Sequence, residues 1–202
     1  MRLNVTFQSN YVVDAVMGVL RPESRTELYS VAGRAVMNQV QRHIRSYMRS
    51  KHTTAHMLGA RPTGHFEKGA AAITTTADST GAEVRIPIPG LSRAWGDVTI
   101  RPGPGKRALT LPRAALAYGR TVAEVRALGW KVFRPKGTNW LMGTQGDDKA
   151  TLTLLYTLVG GVVQRRDPSL LPPQGEIAAT GWQAVWKQVQ KAVAKARQGG
   201  LK

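Results

Sequence analysis

Two long stretches of helical periodicity, one near each end, enclose a central region punctuated by proline and glycine. That arrangement restricts the chain to a fold of mixed helix and strand. In the first stretch Leu28, Val31, Ala35, Val40, Ile44 and Tyr47 recur at helical spacing, with Arg34, Arg42, Arg45 and Arg49 on the opposite face. An amphipathic helix with a basic stripe is predicted there, up to about Ser50. Ser24 and Glu27 have the spacing of a capping box, in which each side chain satisfies a backbone donor at a helix start. The second stretch follows Pro172-Pro173 and runs over residues 176–197. Ile177, Trp182, Val185, Val189 and Val193 form its apolar side, and Lys187, Lys191 and Lys195 share another face. The tail, residues 198–202, is expected to fray.

Between and before these helices the pattern is that of strands. Leu3, Val5 and Phe7 alternate with polar residues, which predicts a half-buried strand over residues 2–8. A short helix is expected at 11–20, ending near Arg21-Pro22. Further strands are expected at 73–77, 83–88, 97–101, 106–111, 131–134, 139–143 and 150–164. Ser79-Thr80-Gly81 and Gln145-Gly146-Asp147-Asp148 supply turns, and Gly160-Gly161 a bulge or bend. Pro87, Pro89, Pro102 and Pro104 argue for strand ends or edges, since proline cannot donate to a ladder. Thr121 and Glu124 give a second capping-box spacing ahead of a short helix that stops at Gly129. Residues 51–69 show little periodicity and read as a long extended loop. The expected architecture is a single α+β domain over residues 1–202, an antiparallel sheet covered by the two long helices.

Charge narrows the function classes. Lys and Arg number 29 against 12 Asp and Glu, a formal net charge of +17 and a pI near 11.1. Such an excess repels itself unless partners or polyanions offset it. Nucleic acid, acidic protein neighbours and a merely basic surface are the three readings. The absence of cysteine excludes disulfides, thiolate catalysis and cysteine-based zinc sites. No apolar run is long enough to span a bilayer, and the most apolar stretch, residues 152–163, reads as a buried strand. The first residues lack the features of a signal peptide, so synthesis and use in the cytoplasm are expected, with no membrane partner.

No arrangement of residues supplies a reaction mechanism. His52 and His56 are four apart, but threonine at position 53 stands where a metalloprotease motif has glutamate, and a third ligand is missing. Gly103-Pro104-Gly105-Lys106 resembles a phosphate loop only in part: Ile100 and Arg107 occupy the places of its first glycine and its Ser or Thr. Asp147-Asp148 reads as a solvated turn, and no serine sits in a Gly-x-Ser-x-Gly elbow. Neither enzyme activity nor a cofactor or metal is expected. The basic groups remain as candidates for contact with DNA or a partner: Arg34, Arg42, Arg45 and Arg49 on the helix, and Arg101, Lys106, Arg107 and Arg113 around the proline-glycine turn. His52, His56, Arg61, His65 and Phe66 are candidates for a partner-facing loop. Trp95, Trp130, Trp140, Trp182 and Trp186 suit core, interface or stacking roles.

Three blocks carry a family resemblance. They are HTTAHMLGARPTGHFEKGAAAI at 52–73, IPGLSRAWGDVTIRPGPGKRALTLPRAALAYGR at 88–120, and LLYTLVGGVVQRRDPSLLPP at 154–173. Within the second, Gly90, Arg93, Gly96, Ile100, Lys106, Leu109, Leu111, Pro112, Ala117, Tyr118 and Gly119 follow the pattern of the phage virion morphogenesis, or tail completion, family of Mu-like phages. Leu91 and Trp95 depart from it, at an isoleucine and at the first of a glycine pair. The resemblance spans roughly residues 30–190 with the blocks in order. It implies a structural virion protein at the head–tail junction that completes or terminates the tail. Implied partners are further copies in a ring, expected to be a hexamer, the tail tube and connector proteins, and phage DNA in the lumen. The alternative is a basic nucleic-acid-binding module.

Overall fold

Pro22 opens the first long helix, α1 (Pro22–Ser50), in a computed structural model that describes residues 2–5, 22–50, 53–88, 90–146 and 152–199. Proline suits a first helical turn, where its missing N–H would have no intrahelical acceptor and its φ is already helical. Ser24 therefore lies inside the first turn rather than ahead of it, and the capping box expected with Glu27 is not what starts the helix. Thr26 Oγ1 donates back to the Pro22 carbonyl oxygen at 3.0 Å.

The remaining elements are β1 (Arg2–Val5), α2 (Thr53–Met57), α3 (His65–Ala71), β2 (Thr74–Ala77), β3 (Ala82–Arg85), β4 (Val98–Ile100), β5 (Leu109–Pro112), α4 (Val122–Ala127), β6 (Trp130–Phe133), β7 (Trp140–Gln145), β8 (Thr153–Val159), β9 (Val162–Gln164) and α5 (Gln174–Gly199). The fold class is α+β, as expected. The strands divide among three antiparallel sheets, β1-β3-β2, β4-β9 and β5-β8-β7-β6, in place of the one sheet expected. Much of the expected loop at 51–69 is helical, because α2 and α3 close local hydrogen bonds such as Leu58 N–H to Thr54 O, 3.1 Å. Positions 6–8, the helix expected at 11–20, His52, Pro89, the Asp147-Asp148 turn and residues 200–202 of the tail lie outside the described residues. Helix α5 continues through residues 198 and 199, where fraying was expected.

The chain divides into two compact units. The first comprises Met1–Arg49, Phe66–Ala94 and Asp167–Lys202. Its core gathers Val36, Val40 and Ile44 from α1 with Val84, Ile86 and Ile88 from β3 and its extension. Leu91, Leu170, Leu171 and Ile177 complete it. Each such side chain contributes about 1.5–3 kcal/mol by leaving water. Gly33 lets α1 approach the sheet: a Cβ there would stand 2.5 Å from Thr75 Oγ1 and 3.0 Å from the Ala82 Cβ. In α5, Ile177 and Gly181 are buried, but residues 190–194 are all exposed and Val193 is 46% exposed. The predicted apolar stripe is therefore covered only over its first turns.

The second unit comprises Ser50–His65 and Trp95–Arg166. Its core joins Ala117, Val125, Val132, Leu155 and Tyr156, with Trp130 and Leu141 packed against them. The α4 capping box forms as predicted: Glu124 N–H donates to Thr121 Oγ1 at 3.3 Å, and Thr121 N–H to Glu124 Oε2 at 2.6 Å. Gly129 ends that helix region at φ +85°, a conformation that favours glycine. Strands β7 and β8 pair as the expected hairpin, with one irregularity. Leu141 faces Tyr156 and Met142 faces Leu154, so Leu155 is an extra residue in β8. This bulge lets the consecutive residues Leu155 and Tyr156 both enter the core, against the strict alternation of a regular strand. Gly143 makes room for it, since a Cβ there would collide with Leu155 Cδ1. At Gly160-Gly161 the chain bends and leaves this sheet to pair, as β9, with β4. Pro112 sits on β5, an edge strand, as its missing donor requires.

Candidate functional site

The charge excess is uneven along the fold. The second unit holds fourteen Lys and Arg against four Asp and Glu, a formal excess of ten in the shorter of the two units. Its two described carboxylates are already engaged. Asp97 Oδ1 accepts the Arg166 N–H at 2.7 Å, and Glu124 serves the α4 cap. Hydrogen bonds from the Thr121 N–H, and then from its hydroxyl, hold the Glu124 carboxyl below the usual carboxylate range.

Arg34, Arg42 and Arg45 are exposed on α1, within an arc of about 80° at helical spacing. Arg49 lies on the same helix, and its side chain is outside the described residues. Arg101, Lys106 and Arg107 are exposed around the turn closed by Lys106 N–H to Gly103 O at 3.0 Å. Among the described residues, none of these six forms an ion pair within 4.0 Å. Arg113 is exposed but anchored, its Nε–H donating to Thr157 Oγ1 at 2.9 Å. The helix group thus belongs to the first unit and the turn group to the second.

Of the expected partner-facing residues, His56, Arg61 and His65 are exposed, and Met57 beside them is 86% exposed. Phe66 is partly buried and packs on the core of the first unit. Its place on α3, one residue after His65, turns the ring inward. Among the described residues no three His, Asp or Glu side chains form a group that could hold a metal ion.

The outer face of the four-stranded sheet was not legible as a unit from sequence. Trp130 and Val132 point into the core, so Lys131 and Phe133 point out. Phe133 lies opposite Met142, and Trp140 lies two residues further along the same strand. Phe133 and Trp140 are 43% and 48% exposed. Each of these residues shows the alternation signal singly; only the register brings them together.

A polar cluster has no sequence signal, because its two halves, His43 with Tyr47 and Asp167 with Ser169, are more than a hundred residues apart. Tyr47 OH donates to Asp167 Oδ2 at 2.6 Å, and the Ser169 hydroxyl oxygen lies 2.8 Å from the Tyr47 hydroxyl oxygen. His43 Nε2 meets the Ser169 carbonyl oxygen at 2.8 Å, with its ring stacked on Tyr47. A serine nucleophile needs its base on the hydroxyl. Here the imidazole engages the carbonyl and the hydroxyl turns to Asp167, which also caps the 3-10 turn Pro168–Leu170. The arrangement ties α1 to that turn.

No helix among the described residues is long and apolar enough to cross a membrane. No family model, no curated protein and no solved structure matches this chain.

Proposed function

We propose that this chain is a structural assembly protein of a tailed-phage particle that completes or terminates the tail and supports the joining of head and tail. The observation that carries the reading is the set of three blocks, in order over roughly residues 30–190, that resemble the phage virion morphogenesis family. The exposed cations support it, since Arg34, Arg42, Arg45, Arg101, Lys106 and Arg107 have no carboxylate within 4.0 Å among the described residues. In a particle, neighbouring subunits, tail tube, connector or DNA would neutralise them. The role implies copies packed in a ring, a hexamer, around the DNA channel, and residence in the virion after synthesis in the host cytoplasm. It asks for no catalysis.

The test is to locate the chain in purified particles by image reconstruction and mass spectrometry, and to measure its mass in solution. Rings in solution or density at the tail end or neck are expected. A strictly monomeric protein absent from mature particles overturns the reading. The excess of ten positive charges in the second unit favours one competitor, a nucleic-acid-binding module. That competitor requires tight duplex binding that weakens steeply with salt.

A further inference from the structure

We propose that the outer face of the β5-β8-β7-β6 sheet binds single-stranded nucleic acid, with Trp140 and Phe133 as stacking platforms for neighbouring bases. The inference stands apart from the assembly role, because it rests on the face itself.

Register places the aromatic pair. Phe133 is directly opposite Met142, which makes Trp140 its diagonal neighbour. Diagonal neighbours on adjacent antiparallel strands lie about 7–8 Å apart, a distance that two aromatic rings bridge. Both rings are close to half exposed. The strands that carry them are anchored, because Trp130, Val132 and Leu141 are packed in the core.

Charge selects the occupant. The four strands contain no Asp or Glu. Lys131 leaves β6 on the outer face beside Phe133, and Arg113 follows β5 with its Nε–H fixed on Thr157, a buried residue opposite Trp140. Arg134 and Lys136 are exposed in the β6–β7 connection, where Arg134 Nε–H donates to the Thr138 carbonyl oxygen at 2.6 Å. Aromatic faces set among cations match a strand whose bases are unstacked and whose phosphates run alongside. A duplex keeps its bases stacked on one another and offers nothing to the rings. An apolar protein partner would gain nothing from the cations.

The test uses the full chain and a fluorescein-labelled oligothymidylate, read by anisotropy, with tryptophan quenching as a second signal. The wild type is expected to prefer the oligothymidylate to a duplex of equal phosphate count at the same salt. Trp140→Ala and Phe133→Ala should each weaken binding roughly tenfold to a hundredfold, the scale of one lost base stack. Trp140→Phe should restore most of the loss, which separates stacking from damage to the fold. Unchanged affinity in both alanine variants reduces the effect to bulk charge and overturns the proposal. So does an equal or greater affinity for duplex, or no binding at low salt. Polyglutamate bound as tightly, with the same dependence on Trp140, would make the face a protein-docking surface instead.

Discussion

The Tyr156 hydroxyl donates to the Arg120 carbonyl oxygen across 2.9 Å, from a residue that is only 1% exposed. Burial, with a smaller contribution from the Glu124 carboxylate, raises the phenol above its ordinary value near 10. A folded-state value raised above the unfolded one means that the stabilisation is complete below pH about 10 and is lost as pH rises through the folded value. Urea unfolding should therefore show a loss of stability in alkali that Tyr156→Phe diminishes. At neutral pH the same variant should cost about 0.5–1.5 kcal/mol, the net value of one hydrogen bond. An unaltered alkaline slope in the variant would assign the titration elsewhere.

Gly143 is where the second unit tolerates least. A methyl group there collides with Leu155 Cδ1 and stands 3.0 Å from Trp130 Cε3. Gly143→Ala should cost about 1–3 kcal/mol, the usual penalty for overfilling a packed core. Adding Leu155→Ala should recover part of that cost, so the double variant should fall short of the sum of the singles. Strict additivity in denaturant titrations would count against the contact.

The α4 cap gives an acid-side counterpart. Thr121→Ala should destabilise by about 0.5–2 kcal/mol, the range for loss of a helix cap. Because the Glu124 carboxyl is held below its ordinary value, its contribution is present above about pH 4.3 and disappears as pH falls through the folded value. Asp78 behaves likewise, held down first by the Thr80 hydroxyl and then by the Thr80 and Gly81 N–H groups. Acid titration of Thr121→Ala, followed by the circular dichroism of its helices, should show a shallower loss than wild type.

Neutralising the stripe on α1 separates stability from assembly. Arg34→Gln, Arg42→Gln and Arg45→Gln replace exposed side chains, so each should alter stability by no more than about 0.5 kcal/mol. Incorporation into particles, counted by quantitative mass spectrometry, should fall sharply in the triple variant. Incorporation at the wild-type level would remove these residues from the interface that the proposed role requires.

Sequence periodicity located both long helices and most of the described strands, but not α2 and α3, which lie where a loop was expected. The long helices were legible because Leu28, Val40 and Ile44 in the first, and Ile177, Val185 and Val189 in the second, recur at helical spacing; the buried face of α1 runs through Ala32 and Val36, where Val31 and Ala35 were expected. The helix start was misplaced because Ser24 offers a capping side chain, while Pro22 supplies a backbone already suited to the first turn. The split into three sheets was not legible, since alternation fixes which side a residue faces but not which strand it meets. The same limit hid the aromatic face. Phe133 and Trp140 each carried a signal, and only hydrogen-bonded register makes them neighbours. The contact between Tyr47 and Asp167 has no local signature at all, because 120 residues separate them.

The unpaired Leu155 has a further consequence. Downstream of it, every side chain of β8 points to the side opposite from the one that plain alternation with Leu154 would assign. Were Leu155 paired in regular alternation instead, inside and outside would exchange, sending Thr157 toward the hydrophobic interior and Tyr156 into solvent. The distinction between a face that folds the protein and a face that can meet another molecule is thus written in a parity set by one leucine.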